Sequence, residues 1–311
     1  MAGGGVMLSA SIDSYLAARR AIGYQLRDTE EILRDFVAFA SAKADTHLCS
    51  RTVLEWVQSR NNSARRKHVR LQIVIRLARY LHAEDDLHEI PPQEAFPRHA
   101  TQRRPPFLFT PADVELLVRA ARTLAPEGSL QFHIYSTLFG LLASTGLRIS
   151  EALYLRIEDV TPDGLLIRNT KFGKSRLLPL HPTTKEHIES YLKRRLCEAG
   201  SCPFLFVSIK GIKLHGNTVR GIFRRLVYRL GIAQPENKLR PRLHDLRFYF
   251  ANQVLTHSPG NHDGIGRHMV ALTTYLGHSD VRNSYWYLEA TPSLFSKIAS
   301  QCEDYANGGN L

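Results

Sequence analysis

Apolar residues recur at three- and four-residue intervals over most of the chain, the spacing of one helix face. Ile12, Tyr15, Leu16, Ala18 and Ile22 follow it first, then Ile32, Leu33, Phe36, Val37 and Phe39. Val53, Leu54 and Val57 mark a shorter third helix. A fourth, over 63–81, turns Val69, Ile73, Ile75 and Leu77 inward. The start is rich in glycine and reads as frayed. Together these segments predict a small all-helical domain over residues 1–90. The stretch after it, IPPQEAFPRHATQRRPPFLFT, holds five of the 15 prolines and predicts a linker over 91–109, since proline removes backbone donors and biases its predecessor to extended forms. Thr110-Pro111-Ala112-Asp113 then opens a helix, with Thr110 as N-cap and Pro111 at the first helical position.

In the second domain, 110–311, helical spacing dominates again, with further helices over 185–199, 217–230, 243–255 and 270–276. Period-two patterning surfaces once, as strands over 165–168 and 175–180 joined by a turn at Lys171-Phe172-Gly173-Lys174. A less distinct first strand falls at 155–160. The stretch 253–271 contains His257, His262, Asp263 and His268, but no ligand spacing repeats, and it reads as a Pro/Gly loop, not a metal site. Leu294, Phe295, Ile298 and Cys302 fall at helical spacing in the tail. The fold class is mainly α with a small antiparallel sheet.

Charge narrows the function. Lys plus Arg is 41 against 29 acids, a net charge of +12, which favours polyanionic partners and nucleic acid first among them. The fourth helix carries Arg65, Arg66, Lys67 and Arg70 with no acid from 61 to 79. The helix over 217–230 carries Arg220, Arg224, Arg225 and Arg229. A charge run is ordinarily just a solvated face. The absence of acids makes these two helices candidates for phosphate contact. No apolar run is long enough for a signal peptide or a membrane span. The four cysteines show no CxxC spacing, so they suggest small core residues in a reducing cytoplasm rather than a metal or redox site.

Four short patterns carry candidate chemistry. They are Thr145-Gly146-Leu147-Arg148-Ile149-Ser150-Glu151, then Lys171 in the hairpin turn, then His244-Asp245-Leu246-Arg247, then Leu276-Gly277-His278 with Tyr287 nine residues on. Each alone has a plain alternative: Arg148 paired with Glu151, His244 and Arg247 on one surface face, Tyr287 as a core aromatic. Jointly they suit phosphodiester cleavage by an amino-acid nucleophile without metal. Two arginines can clamp the non-bridging oxygens, a lysine can protonate the leaving 5′-oxygen, histidines can take a proton and hold an oxygen, and a tyrosine can attack. Tyr285 is a rival nucleophile, but two residues on a helix point about 200° apart, so only one can face the phosphate.

TGLRISEAL at 145–153, HDLR followed by Phe250-Ala251, and LGHSD followed by the tyrosine resemble the tyrosine recombinases, or phage integrases, from Phe107 to about Leu294. The resemblance implies Arg148 and Arg247 as phosphate clamp, Lys171 as general acid, His244 as base, His278 as hydrogen-bond donor, Tyr287 as nucleophile and Glu151 as a supporting acid. It also implies a 3′-phosphotyrosyl intermediate on double-stranded DNA, a homo-tetramer on two DNA sites, and no metal or small-molecule cofactor. The expected setting is the bacterial cytoplasm, at the nucleoid. Three features depart from the family pattern. Thr170 and Phe172 flank Lys171, leaving Lys174 as a rival; Phe248-Tyr249 follow Arg247; and 253–271 runs long. A mobile-element integrase or transposase is the favoured role. A type IB topoisomerase, a Xer-type resolvase and an inactive DNA-binding protein are the alternatives.

Overall fold

The computed structural model describes residues 3–98, 104–168, 175–198, 200–232, 239–257 and 262–277. The chain divides into two compact units, Met1–Arg103 and Arg104–Leu311. The first is four helices: α1 (Gly3–Ala21), α2 (Arg27–Ala42), α3 (Ser50–Ser59) and α4 (Ala64–His82). Their apolar stripes close on one core, in which Phe36 and Trp56 meet edge to face at 5.3 Å. The glycine-rich start is helical from Gly3 and not frayed, since Leu8, Ile12 and Leu16 anchor α1 in that core. Ile22 lies beyond the helix end and is exposed. Val69, expected inside, is exposed as well, because burial along α4 begins only at Leu71.

The proline-rich stretch is tied at both ends. A short 3-10 turn, Gln93–Ala95, is followed by Phe96, which packs on the first core and whose carbonyl meets His68 Nδ1 at 2.7 Å. On the far side Phe107 and Phe109 join the second core, against Phe223. Residues 99–103 lie outside the described set.

The second unit is built around α6 (Leu130–Thr145), which buries Ile134, Leu138, Leu141 and Leu142 among others and leaves one stripe, His133, Thr137, Gly140 and Ser144, less covered. It packs against α5 (Pro111–Arg122), α8 (Pro182–Glu198) and α10 (Asp245–Thr256). The predicted start of α5 holds: Thr110 and Asp113 form a reciprocal capping box behind Pro111. Between α7 (Ile149–Tyr154) and α8 stands an antiparallel sheet in the order β1 (Val160–Thr161), β2 (Gly164–Ile167), β3 (Arg176–Leu178). The first strand is far shorter than 155–160. Asp159 accepts from the Arg156 N–H at 2.9 Å and from Arg168 Nε at 2.5 Å, which winds 157–159 into a 3-10 turn.

Two further helices are found among the described residues of this unit, α9 (Gly216–Arg229) and α11 (His262–Leu276). The loop expected over 253–271 is mostly helix. Met269, Leu272 and Leu276 pack on Phe248, Ala251 and Leu255, and that tertiary contact outweighs the low helix propensity of Gly264 and Gly266. Cys49 and Cys202 are half-buried and Cys197 is exposed, so none of these three is a core residue as expected, while Cys302 lies outside the described residues.

Gly164 opens β2 at φ +136°, and a Cβ there would stand 2.2 Å from the Leu178 carbonyl oxygen. Gly164→Ala should therefore cost about 1–3 kcal/mol by strain, and more where the β2–β3 pairing gives way. A denaturant midpoint equal to that of the wild type would show that the sheet edge adapts without cost.

Candidate active site

The first pattern sits where α6 stops. Gly146 takes the left-handed conformation (φ +62°), and a side chain there would collide with Phe250 and Leu276, at 2.6 and 2.8 Å. The chain turns and Arg148 begins α7. Glu151, three residues on, accepts the Arg148 backbone N–H at 3.1 Å and its Nη1 at 2.8 Å. Glu151 is nearly buried while Arg148 is about one-third exposed. The predicted partnership of the two is thus real, and it leaves the arginine at an accessible surface.

Arg247 arrives from α10, and its side chain is buried to 2% exposure. Nη1 donates to the Gly146 carbonyl at 2.6 Å, across 101 positions, and Nη2 to the Leu276 carbonyl at 2.9 Å. One guanidinium therefore joins the first pattern to the last residue of α11, two before His278. At the start of α10 the exposed His244 ring stands edge-on to Phe248. Desolvation of its inner side, then Arg247, with Arg242 and Arg148 adding to it, holds its pKa below the ordinary histidine value against an opposing pull from Asp245. That four-way influence places His244, Arg247 and Arg148 in one electrostatic field. Asp245 is fully buried and is answered by Arg242, whose backbone N–H and Nη2 reach its two oxygens at 2.7 and 3.0 Å.

Arg176 belongs to this place, and sequence reasoning missed it. It rises from β3 opposite Ile167 and donates to both Glu151 oxygens, at 3.0 and 3.3 Å, and through Nε to the Tyr275 carbonyl at 3.0 Å. Burial pushes the Glu151 carboxyl up, but the Arg176 and Arg148 hydrogen bonds and charges outweigh it and hold the group below its usual range. The local sequence of Arg176, SRLLPL, gives no signal that the arginine turns inward. Lys171 with its rival Lys174, His278, Tyr285 and Tyr287 lie outside the described residues, as does the tail over 292–305. Among the described residues no group of His, Cys, Asp or Glu could hold a metal.

The basic helices divide. Arg65 and Arg66 are exposed at the start of α4, and Arg220, Arg224, Arg225 and Arg229 are exposed along the acid-free α9. Lys67 is half-buried and reaches Gln58 at 3.3 Å. Arg70, expected on the same face, is turned inward: its side chain is 13% exposed, pairs with Asp35 at 3.3 Å and lies over the Trp56 ring at 4.9 Å. The described helices include none long and apolar enough to cross a membrane.

Comparison with known proteins identifies the family. The profile of the phage integrase family matches residues 108–293. A Sinorhizobium fredii protein named as an integrase/recombinase, y4rB, is 36% identical over 94% of this chain and 96% of its own. XerD of Staphylococcus epidermidis is 29% identical over 53% of each chain. Among solved structures, the Tn1549 transposon integrase in complex with transposon right-end DNA shares the fold, with TM-score 0.61, 18% identity, and coverage of 95% of this chain and 99% of that one. A λ integrase tetramer bound to a Holliday junction does so with TM-score 0.60, 16% identity, and coverage of 90% and 76%. With Arg148 and Arg247 joined through the Gly146 turn and the family profile spanning both, the chain belongs to the phage integrase family and is a tyrosine recombinase, an enzyme that cuts and rejoins DNA through a phosphotyrosine intermediate.

Proposed function

We propose that this recombinase binds double-stranded DNA at the ends of a mobile element and exchanges strands as a homo-tetramer on two sites. The observation that carries the assignment of chemistry to residues is the Arg247 guanidinium, which joins the Arg148 turn to the carbonyl just before the Gly277-His278 pair. The mobile-element role is supported by the likeness to y4rB and to the Tn1549 integrase. Excision junctions in DNA around its own gene would bear that role out. Recombination confined to a chromosomal site would replace it with a resolvase role, and site-independent relaxation of plasmid would point to a topoisomerase.

In the reaction Tyr287 Oη attacks the scissile phosphorus. Its proton passes to His244, the P–O bond to the 5′-oxygen breaks, and Lys171 protonates that oxygen. The DNA is left on the enzyme through a 3′-phosphotyrosyl bond, and attack by the partner strand's 5′-hydroxyl reverses the steps. A free phenol has a pKa near 10, so only about 10⁻³ of it is ionised at neutral pH, and the nucleophile needs a base. A histidine held neutral can serve as one. Arg148 and Arg247 stabilise the charge that grows on the non-bridging oxygens, with His278 donating to one of them. Two carboxylates within this region are already neutralised by arginines, so the phosphate meets a positive site.

Three outcomes test the reading. On a nicked suicide duplex, Tyr287→Phe should bind DNA yet form no covalent adduct, whereas Tyr285→Phe should still form one; the reverse pattern would move the nucleophile. Cleavage at subsaturating DNA, whose pH profile follows groups of the free enzyme, should lose rate on its acid side only below the ordinary histidine value of about 6.5, because the ring's proton affinity is depressed there. An acid limb centred at or above that value would exclude His244 as the base. Binding should weaken steeply with salt, each phosphate contact adding roughly −0.9 to the log–log slope. Arg66→Gln and Arg224→Gln should make the slope shallower, while Arg70→Gln should lower stability and leave it unchanged. A slope insensitive to the first two would remove α4 and α9 from the interface.

A further inference from the structure

We propose that Arg176 is a positioning residue for DNA cleavage: through Glu151 it keeps Arg148 turned toward the phosphate, and through Tyr275 it sets where the chain leaves α11 toward His278. The inference rests on the recombinase reading above and adds to it a residue outside the set of clamp, acid, base and nucleophile.

Three observations carry it. The first is the lone-pair count at Glu151. Each carboxylate oxygen offers two acceptor sites. Oε1 takes Arg148 Nη1 and Arg176 Nη1, and Oε2 takes the Arg148 backbone N–H and Arg176 Nη2. Arg176 thus fills the half of Glu151 that Arg148 does not. Without it a buried carboxylate would face Arg148 alone and would draw that guanidinium into a two-toothed pair, at the expense of the phosphate.

The second is the exit of α11. The last carbonyls of a helix lack partners within it. Here Arg176 takes that of Tyr275 and Arg247 takes that of Leu276. The third is Gly277, at φ +66°, whose added Cβ would stand 2.7 Å from Arg176 Nη1 and 2.9 Å from Cζ. The guanidinium lies flat against the backbone, so the residue before His278 is restricted to glycine by Arg176 itself as well as by its φ. A planar fork can grip a carboxylate and a carbonyl at once; a lysine ammonium, a single point charge, cannot hold both in this geometry.

The test separates positioning from mere bracing. Cleavage by the wild type maps the scissile bond in DNA flanking the gene, and duplexes are then made with either a phosphodiester or a methylphosphonate at that bond. The methyl group removes the non-bridging charge that the clamp answers. Arg176→Ala should slow phosphodiester cleavage about 10- to 100-fold, the usual cost of losing a residue that orients a ligand-holding one. Most of that loss should be recovered on the methylphosphonate, as for Arg148→Ala, with DNA binding unchanged. The double variant should be no slower than Arg148→Ala alone. Arg176→Lys, which keeps a positive charge on Glu151, should fall between, and it decides the matter if the alanine variant fails to fold. Equal losses on both substrates, losses that multiply in the double variant, or wild-type rates in Arg176→Ala would overturn the proposal and leave the recombinase reading standing. A wild type that forms no adduct would overturn both.

Discussion

The C-terminal unit is organised around one buried cation. Placing the Arg247 guanidinium at 2% exposure is costly unless its donors find partners, and the carbonyl oxygens of Gly146 and Leu276 are two of them. Helix ends are where spare carbonyls exist, and the negative end of a helix dipole favours a cation. Two such ends therefore converge on Arg247, those of α6 and α11. This requirement explains why both helices stop at a glycine in the left-handed conformation, Gly146 and Gly277, and why no side chain fits at either. Arg148 and the segment leading to His278 are the chains that emerge from those two stops. The geometry of the site follows from where a buried charge can be satisfied.

Desolvation first, and then Arg247, Arg242 and Arg148, disfavour a proton on His244, the proposed base. Arg148 and Arg176 face Glu151, Arg242 is committed to Asp245 and Arg247 meets the Gly146 and Leu276 carbonyls, so positive charge is in excess among these groups. An empty site in that state disfavours a proton on His244. Under the function proposed above, a phosphate entering the clamp would offset the arginines and raise the ring's proton affinity at the moment a phenol must give its proton up. Clamp and base are therefore coupled by ordinary electrostatics. Glu151 tempers the excess: its two arginines keep it ionised in spite of its burial, and it is nearly shut off from the surface.

Much of this was legible in the sequence because the residues come in local groups. The Thr145–Glu151 turn, the His244–Arg247 helix start and the capped start of α5 each depend on neighbours within four positions. Arg176 was not legible for the opposite reason: its partners, Glu151 and Tyr275, lie 25 and 99 positions away, and nothing local in SRLLPL marks an arginine as internal. The helix α11 was hidden by two glycines whose low propensity is overruled by packing of Met269, Leu272 and Leu276 on α10. The half-exposed cysteines show the limit of burial averages, since a thiol's chemistry says little about where a given one sits.

Arg70 shows why the charge total cannot be converted into a DNA footprint. Arg66 and Arg70 are four apart and so share a helix face. Yet Arg66 is exposed, while Arg70 meets Asp35 of α2 and the Trp56 ring of α3, and Trp56 Nε1 itself donates to Asp35 at 3.1 Å. The difference is not in α4 but in what packs on it: the first turns of the helix have no buried residue, and the core begins at Leu71. A basic run on a helix that enters a core partway along is two populations, one available to a polyanion and one spent on holding the fold. On α9 no such division arises, because Val219, Phe223, Leu226 and Val227 form its buried stripe and every arginine falls on the other side. Of the two basic helices, α9 therefore presents the fuller set of exposed charges, although Arg229 also ties the helix to Thr123 at 2.8 Å, so a loss of charge is cleanest to read at Arg224.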